Sequence, residues 1–118
     1  MSRSILLAAA IVTLVLPLLA EAATGPENYR VYCMQCHGIS GTGTGVNSRD
    51  MAVKPRNHTD GKYMEARSDQ DLFNVIKDGG PAINKSALMP AWGDVFSDDE
   101  IRDLVKHLRK LCRCKHEK

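Results

Sequence analysis

Large rings are scarce in this chain. Among 118 residues there are one Trp, two Phe and three Tyr, few for a small domain that must fill its own core. An excess of charge is missing as well. Lys and Arg number 16 against 14 Asp and Glu, a formal charge of +2, which excludes the basic face that a nucleic-acid partner demands. No internal repeat or low-complexity segment occurs, so solenoids and linkers are excluded. A strand-rich pattern is also absent, and the expected fold class is all-α. Gly41, Gly43 and Gly45 alternate, yet no strand precedes them and no Gly-Lys-Ser/Thr follows, so they do not form a phosphate-binding loop. A wrap over the edge of a bound group is the plainer expectation for the stretch from Gly38 to Asn57.

The one long apolar run is N-terminal. Ile5 to Ala20 is interrupted only by Thr13 and Pro17, Arg3 precedes it, and Ala20-Glu21-Ala22 is a small-x-small cleavage signal. Residues 1–22 are therefore expected to be a secretory signal peptide, with the mature domain over residues 23–118. The alternative is an uncleaved anchor, but the run is short for a span of about 20 residues. If the signal is cleaved, no stable membrane insertion is expected.

What is present is Cys33-Met34-Gln35-Cys36-His37. Two thiols at this spacing can add to the two vinyl groups of haem, and the histidine that follows is placed to bind the iron, so C-x-x-C-H points to c-type haem attachment. A thioredoxin-like pair would want a βαβ neighbourhood. A zinc site would want a second ligand pair at matching spacing, which Cys112 and Cys114, one residue apart, do not supply. One covalent haem c, anchored by Cys33 and Cys36 and ligated by His37, would be both staple and core for a chain with few rings. It would make the protein a one-electron redox protein unless the sixth iron position stays open.

Three main helices are expected around it. The first runs from about Pro26 to Cys33, with Pro26 in the first turn and Glu27 at the positive end of the dipole. Gly25, Tyr29 and Cys33 recur every four residues on one face. The second runs from about Asp69 to Asp78, between an N-cap at Ser68 and the stop Gly79-Gly80. The third runs from about Asp98 to Cys112. Ser97 and Glu100 form a capping box, and Ile101, Leu104, Val105, Leu108 and Leu111 keep the 3.6 period. A short turn near Lys62 to Ala66 is also expected.

For the sixth ligand the chain offers Met34, Met51, Met64 and Met89, and His58, His107 and His116. Met34 lies inside the attachment motif and cannot reach the opposite haem face. Met89 precedes Pro90, which favours an extended loop able to hold a sulfur against a metal. The alternative is a gap-filling core methionine, and spacing alone leaves both open.

The motif near the mature N-terminus, the Gly25–Tyr29–Cys33 spacing, the stretch Leu72-Phe73-Asn74-Val75-Ile76-Lys77-Asp78-Gly79-Gly80, and Met89-Pro90-Ala91-Trp92 before an amphipathic helix resemble class I cytochrome c of the short bacterial monohaem type. The resemblance covers nearly the whole mature chain. It implies an all-α fold around one haem, with His37 and Met89 as the axial pair. It implies a first helix crossing the last through Gly25 and Tyr29. His107 stands where the family usually has Tyr or Trp, and is expected to pack rather than ligate. Pro55 matches the proline whose carbonyl accepts the second N–H of the axial histidine. His58 is expected at the solvent or near a propionate. Cys112 and Cys114 lie outside the family pattern: a disulfide, free thiols, an intermolecular bond and a weak site with His116 all stay open.

The functional expectation is an exported, periplasmic electron carrier, not an enzyme, passing single electrons between redox partner proteins and binding no nucleic acid. The alternatives are a haem subunit of a periplasmic dehydrogenase complex and a five-coordinate haem protein that binds a gas or reduces peroxide.

Overall fold

The computed structural model describes residues 21–116, and the expected signal peptide lies almost wholly outside the described residues. Every regular element among the described residues is helical. The expected first helix is longer than its sequence signals and changes type within itself. It begins as α1 (Gly25–Asn28), passes through one π-helical turn (Tyr29–Cys33), and resumes as α2 (Met34–His37). The Glu27 carboxylate accepts from the Thr24 backbone N–H at 2.8 Å, which caps the start. The π turn ends at Cys33, where the attachment motif begins, and such bulges recur where a helix is adapted to function.

Two short elements follow, a 3₁₀ turn (Val46–Ser48) and α3 (Gly61–Glu65), the latter capped by Asp60, which accepts from Tyr63 N. Then come α4 (Asp69–Asp78), a 3₁₀ turn (Gly80–Ile83) and α5 (Asp98–Cys112). The bounds of α4 and α5 match the expectation. At α4, Ser68 and Asp71 cap each other reciprocally, at 2.9 and 3.0 Å. At α5, Ser97 and Glu100 do the same, at 2.9 and 3.3 Å. Each pair satisfies two backbone donors that a helix start leaves without partners.

The start of the first helix crosses α5, and α3 and α4 pack on α5 from other sides. The close approach is made at Gly25, where an added methyl group would collide with the backbone of Asp103. Next to it, Tyr29 lies against His107, ring centroids 4.9 Å apart. His107 is thus a packing residue, as expected. Ile101, Leu104, Val105 and Leu108 of α5 join Tyr29, Met64, Leu72, Ile76 and Phe96 in the buried core. Tyr32, Trp92 and Phe96 form a second ring cluster, with centroids 5.0 to 5.8 Å apart.

At the far end of α5, Arg109 ties down the segment between α3 and α4. Its guanidinium donates to the Met64 and Arg67 carbonyls at 2.7 and 2.6 Å and to the Asp69 carboxylate at 2.8 Å. Beyond it Cys112 and Cys114 are bridged to each other, and both are buried. Among the described residues no group of His, Cys, Asp and Glu is placed to hold a metal ion, so a site with His116 does not form. Its Nδ1–H instead donates to the Glu65 carbonyl at 2.9 Å.

Candidate haem site

The helices leave a cavity of about 470 Å³ between them, within the range of about 300–1,000 Å³ usual for cofactor sites. Leu72, Val75 and Ile76 of α4 and Leu104 and Leu108 of α5 wall it with hydrocarbon. Cys33, Cys36 and His37 border it from the first helix, and Met89 from the loop after α4. The four residues singled out from the sequence are therefore brought to one space.

Met51, Met64 and His58 also border this cavity, whereas Met34, His107 and His116 do not. Met34 packs against the core instead. Met64 is 1% exposed and is part of the core itself. Met89 is half-buried, in a bend that follows a turn at Ala87–Leu88. This differs from the extended loop expected before Pro90. The Met89 N–H donates to the Ser86 carbonyl at 3.2 Å, and the Met89 carbonyl accepts from Gly80 N at 2.9 Å. Trp92 N and Gly93 N donate to the carbonyls of Ile76 and Lys77 at the end of α4. The loop is thus strapped to a helix end by backbone bonds, which a local proline preference does not outweigh.

Around the attachment motif the glycine-rich stretch is also strapped, not draped as expected. Gly43 N donates to the His37 carbonyl at 2.7 Å, and Gly45 N to the Cys36 carbonyl at 3.0 Å. Gly41 (φ 78°) is buried, and any side chain there would press on Leu111, His58 and Tyr29. Only glycine suits both the backbone angle and the space.

The chemistry of the donors follows from their contacts. His37 Nδ1 lies 3.0 Å from the carbonyl oxygen of Arg56. A carbonyl carries no proton, so Nδ1–H is the donor and the neutral ring keeps its lone pair on Nε2, the nitrogen a metal would take. Burial lowers the His37 pKa from its usual value, only partly opposed by this bond, which favours the neutral ligand form. The acceptor is Arg56 and not Pro55, as the family pattern had implied. Such a bond fixes the ring and raises its basicity.

Cys33 and Cys36 form no disulfide. Burial first, and the neighbouring Cys36 second, push the Cys33 thiol up to about 12 before any group is joined to it. The charged residues on the wall are Lys54, Arg56, Arg67, Lys85 and one acid, Asp71. The Arg56 guanidinium sits over the Tyr63 ring at 3.7 Å, with Arg67 at 5.2 Å from the same ring. A cationic rim over an apolar wall suits a flat hydrophobic group bearing two carboxylates, and haem is one. Cavity, thiols, tautomer and rim all fit.

His58 departs from expectation. It is 9% exposed. Its imidazole stacks on that of His37, and its Nδ1 is hydrogen-bonded to the Tyr29 hydroxyl. Burial first, then the neighbouring His37, His107 and Arg56, hold its pKa well below the usual value. Neither the stacking nor the Arg56 carbonyl carries a signal in the local sequence.

The chain is similar to known c-type cytochromes. No curated protein matches the chain. Among solved structures, the c-type cytochrome KustC0563 is similar at 23% identity and a TM-score of 0.60, over 75% of this chain and 98% of that one. A chain of the reducing HAO-like protein complex Kustc0457/Kustc0458 of Kuenenia stuttgartiensis is similar at 32% identity and a TM-score of 0.60. That match covers 74% of this chain and 40% of the other. The family model described as cytochrome c oxidase, cbb3-type, subunit III, matches residues 20–108. The chain therefore belongs to that family, and is a small monohaem c-type cytochrome, an electron-transfer protein carrying covalently bound haem c.

Proposed function

We propose that this protein is an exported carrier of single electrons between redox partners, in which Cys33 and Cys36 would anchor the haem and His37 and Met89 would hold its iron. One observation carries the assignment: these four side chains border one apolar cavity, and His37 enters it with Nε2 free because the Arg56 carbonyl takes Nδ1–H. When bound, the haem supplies a one-electron couple, Fe(III)/Fe(II).

The chain's own residues do the rest. The hydrocarbon walls from α4 and α5 exclude water, which restrains charge changes in the site. His37 is held in one tautomer. A Met89 thioether is neutral and soft, and favours the ferrous state more than a second imidazole would. The backbone straps on the Met89 loop restrain the place of that sulfur. Lys54, Arg56, Arg67 and Lys85 supply positive charge at the rim. Docking of partners is expected to be small and transient, as redox encounters are. Export to the periplasm is supported by Arg3, the run Ile5 to Ala20 and Ala20-Glu21-Ala22.

A second arrangement has support of its own. One similar structure belongs to a multi-protein complex and is more than twice this chain's matched length. A haem subunit fixed in a larger assembly would show as a stable complex on purification, and a free carrier would not.

Mass spectrometry of protein matured in an exporting host tests the core of the proposal. The expected result is one haem retained after acid-acetone extraction and a chain starting near Ala23. Haem that washes out would end the assignment of Cys33 and Cys36.

A further inference from the structure

Behind His37 lies a connected set of rings. The imidazoles of His58 and His37 stack with centroids 4.1 Å apart and planes 17° from parallel. His58 Nδ1 and the Tyr29 hydroxyl are hydrogen-bonded at 3.0 Å. The His58 backbone N–H donates to the Gly41 carbonyl at 2.6 Å. Tyr29 is itself immobilised in the core, 2% exposed.

A leucine could fill the same space by dispersion alone. It could not hold a plane. The Arg56 carbonyl restrains the pivot of His37 about its Cβ–Cγ bond through one hydrogen bond, at Nδ1, and a single hydrogen bond tolerates a range of ring angles. A flat ring against its face stops the pivot, provided that ring cannot turn. The Tyr29 hydroxyl stops it turning. His58 is 21 positions from His37 and 29 from Tyr29, pairs that no local pattern links.

We propose that His58 is a positioning residue: through its stacked face, held by the Tyr29 hydroxyl, it sets the plane of the His37 imidazole at the haem. This rests on His37 being an axial ligand. The plane of an axial imidazole decides which iron d orbital its π electrons meet. Supporting residues that orient a ligand tune the metal in this way.

The test uses the mature, haem-bearing protein with His58→Leu, Tyr29→Phe and the pair combined. The readouts are the g-values of the ferric low-spin EPR spectrum and the midpoint potential, with the attached-haem mass as control. His58→Leu is expected to keep its haem but to move or broaden the g-values and shift the potential. Tyr29→Phe should change both in the same direction and by less. The double variant should go no further than His58→Leu alone, because the hydroxyl acts only through His58. Unchanged g-values and potential with lowered thermal stability would reduce His58 to packing and overturn the proposal, as would simple additivity of the two changes. If His58→Leu does not mature, Tyr29→Phe decides alone, and an unaltered spectrum overturns it. The underlying assignment fails separately: His37→Ala that retains a low-spin spectrum would remove His37 as ligand, whatever the His58 variants show.

Discussion

Gly25 lies so close to the carbonyl of Asp103 that a β-carbon on Gly25 has no room. The crossing of the first helix over α5 is set at this contact, and Tyr29 and His107 pack one turn further on. Gly25→Ala should force the helices apart and destabilise the fold by about 1–3 kcal/mol, as overpacking does. Thermal unfolding checks this. A midpoint equal to that of the parent would place the crossing elsewhere.

Arg109 should matter more than its ion pair. Its contact with Asp69 involves a carboxylate that is 72% exposed, so Asp69→Asn should cost less than about 1 kcal/mol. Arg109→Ala also takes the donor from the Arg67 carbonyl and one donor from the Met64 carbonyl, which keeps the Arg67 N–H. That loss should exceed the Asp69→Asn loss, by up to about 1–3 kcal/mol for the part-buried Arg67 carbonyl left without its donor. Arg109→Lys should rescue little, because one ammonium cannot span three acceptors that a planar fork reaches. Denaturant unfolding of the three variants ranks them, and equal losses for Asp69→Asn and Arg109→Ala would refute the clamp.

Acid should weaken the fold partly through His107. Burial, and then the charge of Lys110, hold this imidazole below its usual 6.5. The unfolded chain therefore binds the proton more readily than the folded one. The neutral ring's contribution is complete above pH 6.5 and is lost as pH falls through the lower folded value. His58 acts in the same sense, so removing His107 flattens only part of the profile. His107→Phe keeps a ring against Tyr29 and should lose less stability than the parent between about pH 7 and 5. Parallel losses for both proteins would show that His107 does not titrate with folding.

Three cavity methionines should separate by readout. Met64 is fully buried in the core, and Met64→Ala should cost about 2–5 kcal/mol while leaving the far-red sulfur-to-iron band of the ferric protein in place. Met89→Ala should abolish that band and lower the potential, with water or a nearby lysine such as Lys85 taking the position. Met89→His should retain six-coordination and also lower the potential. Met51→Ala should alter neither spectrum nor potential appreciably. A band lost in Met64→Ala and kept in Met89→Ala would reverse the ligand assignment.

The helix bounds at Ser68 and Ser97 could be read in advance because a cap is a contact between residues three apart, and chain connectivity brings its partners together. The apolar stripe of α5 is local in the same way, and so is Cys33-Met34-Gln35-Cys36-His37. Gly25 and Tyr29 as crossing residues came through likeness to a family, since nothing in the spacing itself names a partner on α5. The π turn inside the first helix has no local signature, whereas its continuation past the expected end at Cys33 follows from the lack of any stop signal before Gly38.

What only the tertiary structure decided are contacts whose partners lie far apart along the chain. The acceptor for His37 is Arg56, 19 residues away, and not the adjacent Pro55. Arg109 reaches the Met64 carbonyl across 45 residues. The Met89 segment turns where its proline favours extension, because bonds to Gly80, Ile76 and Lys77 outweigh a local preference. The sequence places His58 at the solvent or near a propionate, since histidine has no fixed preference between water and interior. Its burial against His37 and Tyr29 depends on where Gly41 lets the backbone pass. The sequence by itself determined Cys33, Cys36 and His37 as candidate haem residues, because attachment chemistry needs particular side chains at particular short spacings. The fold decided how those residues are held, because orientation is imposed by neighbours that only packing brings near.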